Sequence, residues 1–511
     1  MRVMLLGHAG LKIETADATI LVDPWLSPEG AYQASWFQYP ENQHVINPAL
    51  FTPTAIVISH EHQDHVDPWL LRQVPPEVPV IIPRYSSPAL WKKISSFRPG
   101  KIIEVRSWEI LKLSEQVSVY FVSEESPMNH DSAVVILGQG HTILNMNDAR
   151  LSPAQIRRIR NRVGGKIDLL TIQGSGASWY PMCYEYSDEQ KMDISRRQRL
   201  AKLSYVERAV RASEPDFVMP FAGPPCFLDP ELFIHNREMH DGYFPDQHQV
   251  EEWLGLQGFK NTVTLFPGDV WDLECQAKEP DRLWEGFSYG DRFDYLNAYA
   301  NNRRAMIRNV LQRFPHPTVS LWEPFRDYFE KLLQMSPYFN QRIGMRVGFE
   351  ITGGGGGEWS VDFREGLLGV CQGTNDCVYK YRFESRWLLP ILNGTLPWED
   401  FFLSLRFSVW REPDLYNDHL LGLLKFATPE ALRAVELFET SLNQEETFTI
   451  QTEGRNYEVQ RYCPHAGTDL LETAEVLPGR ILRCLAHYYE FELESGNCVN
   501  GICPRLKTKR R

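Results

Sequence analysis

Three histidines and an aspartate fall within six consecutive positions of the stretch Ser59-His60-Glu61-His62-Gln63-Asp64-His65. Imidazole and carboxylate groups are ligands for zinc or iron. In extended backbone His60 and His62 point the same way, while Asp64 and His65 fall where the chain turns into a helix. The whole chain has only 14 histidines, so a chance polar loop is a poor account of three in one place. A second group stands at Cys463-Pro464-His465 and Cys484-Leu485-Ala486-His487, with 18 residues between His465 and Cys484. The pair C-x-H is wrong for a zinc finger, whose pairs are C-x2–4-C and H-x3–5-H. Two thiolates on one iron and two imidazoles on the other build a [2Fe–2S] cluster instead.

That second spacing is the Rieske pattern, and the following 489–496 reads as the strand and turn that accompany such ligands. No further cysteine lies inside either loop, so the disulfide of the high-potential type is not expected. Cys498 and Cys503 lie outside the loops and read as ordinary thiols. The cluster is therefore expected at the lower end of the Rieske range, roughly −150 mV, delivering electrons singly. Hydrolysis has no use for such a cluster. Joining it to a His/carboxylate site makes sense when that metal changes oxidation state, which zinc cannot do and non-haem iron can. The expected function is a Rieske-coupled iron monooxygenase. The alternative is a zinc or manganese hydrolase, of lactonase or phosphodiesterase type, with the cluster as redox sensor.

The run H-x-H-x-D-H after an apolar strand resembles the metallo-β-lactamase superfamily. The resemblance implies a layered αββα sandwich in which His60, His62 and a later histidine, His130, hold one metal. Asp64, His65 and a final ligand would hold the second, with Asp148 bridging. The final ligand is expected near Asp229, where this chain departs from a histidine; His235 and His240 lie further on. A carboxylate there suits iron or manganese better than zinc. His8 and Asp23 also fit the superfamily pattern, as groups orienting ligands or, for Asp23, as a turn residue.

A narrower resemblance is to the CMP-N-acetylneuraminate hydroxylase family, monooxygenases joining a Rieske domain to a metallo-β-lactamase-like one. It is carried by 174–182, Pro220-Phe221-Ala222-Gly223, Ser385-Arg386-Trp387, 393–400 and 411–416, and covers roughly residues 1–430. In that family the Rieske domain comes first, whereas here it comes last, so the docking of cluster and iron cannot be carried over. The resemblance implies one or two iron ions beside the [2Fe–2S] cluster, and a pocket lined by 174–182. Trp179 and Tyr180 there either stack on a substrate ring or simply pack.

To position these groups the chain must alternate strands and helices. Residues 3–6, 19–22, 55–58, 78–83, 117–122, 133–137 and 141–144 are short β-rich or apolar runs. Helical periodicity falls at 152–162, 190–213, 295–313, 322–333 and 428–442. The fold class is thus α/β, with an α+β middle and an all-β end. The boundaries expected are 1–275 for the catalytic domain, 276–445 for a middle domain (sterol-carrier-like through 357–363), 446–506 for the Rieske domain and 507–511 for a disordered basic tail. Five glycines at 353–357 form a turn rather than a phosphate cradle, because no Lys-Ser/Thr follows.

Composition narrows the partners. At 511 residues, 43% hydrophobic and 23% charged, the chain reads as globular. Its net charge of −13 argues against nucleic-acid binding, and no run approaches 18 apolar residues, so no membrane span is expected. Nine cysteines and an opening too short for a signal segment point to the cytoplasm. The expected partners are a small-molecule substrate and an electron donor: ferredoxin, cytochrome or flavin reductase. A homo-oligomer is the expectation where one chain cannot bring its own cluster to its iron.

Overall fold

A computed structural model describes all residues except 176–177, 443–444, 466 and 487. It divides into two compact units. The first comprises 1–124, 130–182 and 186–313; the second comprises 125–129, 183–185 and 314–511.

The first unit is built on two sheets. One has eight strands: β1 (Arg2–Gly7), β2 (Gly10–Glu14), β3 (Thr19–Val22), β4 (Ala55–Val57), β5 (Val80–Pro83), β6 (Ile102–Val105), and two that come later in the chain. The other has six: β7 (Leu111–Lys112), β8 (Val117–Ser123), β9 (Ser132–Gly138), β10 (His141–Asn147), β11 (Leu169–Gln173) and β12 (Phe217–Phe221). β13 (Val270–Asp272) and β14 (Ala277–Glu279) complete the first sheet, whose order is β14-β13-β1-β2-β3-β4-β5-β6; the second runs β12-β11-β10-β9-β8-β7. Val3, Leu5, Ile20, Val22 and Val57 from one sheet meet Val119, Phe121, Val134, Ile136 and Ile143 from the other in a shared core. Such a side chain stabilises by about 1.5–3 kcal/mol when fully buried. Helices cover the outer faces, burying Leu70, Leu90 and Ile94 on the first sheet and Ile156, Ile159, Leu203 and Val206 on the second. The four layers are those expected.

The register brings strand ends together. β3, β4 and β5 run parallel, with Val22 opposite Val57 and Val57 opposite Ile81, so the residues leaving β3 and β4 emerge side by side. In the second sheet β10, β11 and β12 are parallel, and β9 is antiparallel to β10, so the start of β9 lies beside the end of β10. Open α/β sheets bind ligands at such carboxyl ends.

The first unit runs to Arg313 rather than stopping at 275. The helix Arg292–Leu311 packs back on it: buried Arg292 donates to Met239 O at 2.7 Å and to Asp246 at 2.6 Å, and Tyr299 meets Phe37 edge-on. Helical periodicity alone does not say which domain a helix joins.

The second unit holds β15 (Arg346–Thr352), β16 (Gly357–Asp362), β17 (Gly369–Gln372), β18 (Tyr379–Glu384) and β19 (Phe407–Arg411) in the order β17-β16-β15-β18-β19. The glycine run is the β15–β16 turn, with Gly353 and Gly355 at positive φ. Helices Trp322–Leu333 and Trp398–Leu403 pack Phe325, Phe329 and Trp398 on Phe349. Two small sheets follow. β20 (Thr447–Thr452), β21 (Arg455–Gln460) and the last strand form one; β22 (Ala474–Leu477), β23 (Ile481–Cys484) and β24 (Glu490–Glu492) form the other. That last strand, β25 (Thr508–Arg510), corrects the expectation of a disordered 507–511 tail: it pairs with β21, Tyr457 opposite Arg510. Alternating Thr, Lys and Arg can pair along an edge whatever their charge, and Arg511 pairs with Glu458 at 3.0 Å. No helix among the described residues is long and apolar enough to cross a membrane.

Candidate metal centres

The histidine loop leaves β4, a fully buried strand whose unbroken apolar run suits a parallel position between two neighbours. Asp23 leaves β3 beside it at φ +43°, a conformation Asp tolerates better than most residues. It accepts from Ser59 N at 2.8 Å and Ser59 Oγ at 2.6 Å, and its Oδ2 lies 3.1 Å from His65 Nδ1. Ser59 Oγ in turn lies 2.9 Å from His60 Nδ1. With its Nδ1 engaged by Ser59, His60 presents Nε2 toward the other candidate ligands, the arrangement in which an outer hydroxyl sets the tautomer of a metal-binding imidazole, while Asp23 stands beside His65 Nδ1 as a charge partner.

Three groups of close ligand atoms result: His8, Asp64 and His65; His60, His65 and Asp148; and His60, His62 and Asp131. His65 Nε2 lies 3.4 Å from Asp148 Oδ1 and 3.6 Å from Asp64 Oδ2. His60 Nε2 lies 2.9 Å from His62 Nδ1 and 3.8 Å from Asp131 Oδ1. Asp148 arrives from the end of β10, held by Gln173 Nε2 at 2.8 Å from the end of β11. Asp64 is fixed by His8 Nε2 at 2.9 Å and by Tyr32 Oη, which donates at 2.5 Å. His8 reaches it from the tight β1–β2 turn, where Gly7 at φ +113° packs on Asn42 closely enough that a Cβ would collide. His60, His62, Asp64, His65 and Asp148 are thus brought together, with His8 and Asp23 against them.

His130, the later histidine expected as a ligand, is buried beside the histidine loop and outside the three groups. Its Nδ1 lies 3.1 Å from Glu61 Oε1 and its ring stacks on Tyr85 at 4.8 Å. Its neighbour Asp131 is the residue gathered with His60 and His62. Both lead into β9. Asp229 and His235 belong to none of the three groups. Asp229 accepts from Glu231 N at 3.0 Å in a turn, while His235 sits edge-on to Phe227. His240 ends a short helix, its carbonyl accepting from Gln249 Nε2 at 3.0 Å. Trp179 and Tyr180 are half-buried, and Tyr180 meets Tyr186 edge-on. Tyr32, Tyr85 and Asp131 were missed by sequence reasoning; only Asp131, beside a candidate ligand at a strand start, left a signal.

The charges of the centre act on one another. Burial alone would lower the His65 pKa, yet Asp148, Asp23 and Asp64 hold it well above the usual range. Burial likewise opposes ionisation of Asp64 and Asp148, but His65 and its neighbours keep both carboxyls below the usual range. Carboxylates and imidazoles buried in one cluster suit a divalent transition metal.

In the second unit Cys463 and Cys484 are each 1% exposed. Each sits in a tight loop: Cys463 N donates to Thr468 O and Gly467 N to Cys463 O, while Cys484 N donates to Tyr489 O and Tyr488 N to Cys484 O. His465 is buried, its ring lies tilted against Tyr489 at 4.5 Å, and its Nε2 contacts the carboxylate of Asp418. With Nε2 so engaged, Nδ1 is the nitrogen available to iron, so the buried thiolates and imidazole fit a [2Fe–2S] cluster. His487 lies outside the described residues. Asp418, from the helix Asp418–Phe426, is a partner the motif could not reveal.

Comparison with known proteins agrees with this division. Residues 2–162 match a family model described as a beta-lactamase superfamily domain, 321–441 an Rv3818-like, SCP2-like domain, and 424–508 a Rieske [2Fe-2S] domain. A protein of Mycolicibacterium smegmatis named as a Rieske 2Fe-2S iron-sulfur protein is 29% identical over the full length of both chains. The cytidine monophosphate-N-acetylneuraminic acid hydroxylase of Sus scrofa is 21% identical over 80% of this chain and 94% of its own. Among solved structures, the diiron beta-hydroxylase CmlA of Streptomyces venezuelae aligns at 19% identity over 52% of each chain, with a TM-score of 0.36 that relates no residue to residue. The chain therefore combines a beta-lactamase superfamily domain with a C-terminal Rieske domain and is similar to the hydroxylase.

Proposed function

We propose that this chain is an iron-dependent monooxygenase whose Rieske cluster supplies electrons to a metal centre in its beta-lactamase-like unit. One observation carries the reading: a Rieske unit and an oxygen-rich histidine/carboxylate centre share one polypeptide. Electrons delivered singly are useful to a metal that changes oxidation state, and iron in such a ligand set supplies reductive activation of dioxygen when bound. The similarity to a hydroxylase supports the same choice.

In this reading His60, His62 and Asp131 hold one iron, and His65, Asp64 and Asp148 the other. The chain's own residues do the rest. Ser59, itself donating to Asp23, keeps the proton of His60 on Nδ1 so that its Nε2 lone pair faces the other ligands, and the Asp23 carboxylate stands 3.1 Å from His65 Nδ1. His8 and Tyr32 hold the Asp64 carboxylate in one orientation. Residues 1–313 are catalytic, and Cys463, His465, Cys484 and His487 bind the cluster. A ferredoxin, cytochrome or flavin reductase is the external donor.

The test separates the two chemistries. Cys484→Ser removes the cluster and His62→Ala breaks the metal centre; each should abolish reductase-driven, oxygen-dependent product formation while leaving the other centre intact by iron analysis and electron paramagnetic resonance. Product formed by Cys484→Ser under nitrogen would reject the monooxygenase and establish a hydrolase.

A further inference from the structure

The turn of one hairpin in the first unit belongs to the second. β8 and β9 pair from Val117 and Gly138 up to Ser123 and Ser132, and Glu124 N donates to Asp131 O at 3.0 Å. Beyond that last bond, residues 125–129 are part of the second unit. The turn closes on buried Ser126, whose carbonyl accepts from Asn129 N at 3.2 Å and whose Oγ accepts from Met128 N at 3.3 Å. Met128 lies against helix Asp418–Phe426: a Cβ added at Gly422 would stand 2.5 Å from its Sδ. The thioether thus fills the space that a side chain at 422 would need. The same helix begins at Asp418, whose carboxylate contacts His465 Nε2. Residues 418 and 422 are four apart, so they share one face of the helix, about 6 Å apart along its axis. The helix is firmly set. Asn417 Oδ1 accepts from Leu420 N at 2.9 Å, His419 Nε2 lies 3.1 Å from Glu439 Oε2, and Leu420, Leu423 and Leu424 are buried. Three positions after Met128 comes Asp131, gathered with His60 and His62.

One short helix therefore touches a ligand of the [2Fe–2S] cluster at its first residue and, one turn later, the hairpin turn that leads into a candidate metal ligand. Closely packed side chains on a rigid element transmit a displacement rather than absorb it. Reduction adds one negative charge to the cluster and repels the Asp418 carboxylate beside it. A shift of the helix then reaches Met128 and, through three peptide links, Asp131. We infer that Met128 is a positioning residue through which the redox state of the Rieske cluster is coupled to metal binding at His60, His62 and Asp131. By reciprocity, a metal at that centre changes the affinity of the cluster for its electron by the same factor. The inference rests on the two centres proposed above and not on oxygen chemistry.

The experiment needs no turnover. Zinc serves as the metal probe because it does not change oxidation state. The potential of the cluster in the full-length protein is measured by dithionite titration under electron paramagnetic resonance, without zinc and with saturating zinc. Zinc affinity is measured separately with the cluster oxidised and reduced. Wild type should show about a tenfold difference in zinc affinity, matched by a shift of about 59 mV in the one-electron potential. Met128→Ala should reduce the linkage to less than about twofold, or about 18 mV, with zinc and cluster both still bound. Met128→Leu, which refills the space, should keep the wild-type shift. No shift in wild type, or a full shift in Met128→Ala, overturns the coupling; the latter is what a metal acting through its charge alone would give. If Met128→Ala does not fold, Gly422→Ala decides, since its methyl displaces the thioether: the linkage should change at least twofold, and an unchanged one overturns the role of Met128. Product formed by Cys484→Ser under nitrogen would reject the monooxygenase and leave this linkage standing, so the two failures are distinguishable.

Discussion

Replacing Asp23 by asparagine isolates a single proton. The backbone there sits at φ +43°, which asparagine tolerates as well as aspartate, so no conformational cost enters. The carboxylate uses Oδ1 for Ser59 N at 2.8 Å, and Oδ2 both for Ser59 Oγ at 2.6 Å and against His65 Nδ1 at 3.1 Å. An amide has one acceptor oxygen. If it keeps Ser59 N, its NH2 faces His65 Nδ1, and the imidazole moves its proton to Nε2, the atom that looks at Asp64 and Asp148. The lone pair needed for metal is then lost in the favoured tautomer. Removing an outer partner of this kind costs 10–100-fold in metal affinity, or about 1.4–2.8 kcal/mol. Because Asp23 is fully buried, a mismatched amide should also cost about 1–3 kcal/mol of stability. Iron(II) affinity measured anaerobically against a chelator tests the first figure, with the Rieske resonance as an internal control that should not change. An affinity within about twofold of wild type would refute the tautomer argument.

Asp131→Ala should lower the bound metal per chain, since Asp131 is gathered with His60 and His62; elemental analysis decides, and an unchanged metal content would remove Asp131 from the centre. Burial lowers the His235 pKa to about 4. Folded His235 thus stays neutral while the unfolded chain takes a proton near 6.5, and stability falls as pH drops from about 6.5 to 4, by at most about 3 kcal/mol. His235→Phe should flatten that limb of the urea midpoint against pH while leaving metal content unchanged. Among the thiols, Cys498 is lowered to about 7 by a hydrogen bond from Cys503, whereas burial pushes Cys226 well up. Iodoacetamide should therefore alkylate Cys498 with a rate rising through about pH 7 and spare Cys226 in the folded protein, as read by peptide mass spectrometry.

Local chemistry was legible in the sequence wherever one short segment carries it. The run from His60 to His65 and the Cys463/Cys484 loops need only their own spacing, and the apolar 55–58 segment announces the strand that presents the first of them. Contacts made across the fold were not legible. Tyr32 reaches Asp64 through a left-handed turn at 32–34 that no motif marks. Asp418 reaches His465 across 47 positions of sequence. Helical periodicity placed 295–313 on a helix but could not say that buried Arg292 would tie it to the first unit.

β1 lies between β2, its immediate successor, and β13, more than 260 residues later. On the ribosome the two sides of β1 are therefore satisfied at very different times. At about 5–20 residues per second, the edge meant for β13 waits on the order of tens of seconds after β1–β2 can close. By residue 148 all of His60, His62, Asp64, His65, Asp131 and Asp148 have been made, so the nascent chain carries a complete set of candidate ligands while β1, with buried Val3 and Leu5, still has an unpaired edge. Unpaired apolar edges are where chains associate wrongly. A fragment ending between 222 and 269 would carry every strand of the second sheet yet lack the strand that guards this edge. Iron supplied early would then be held by a chain prone to aggregate, and the final strands of the first unit act as the protection of a centre to which they contribute no ligand.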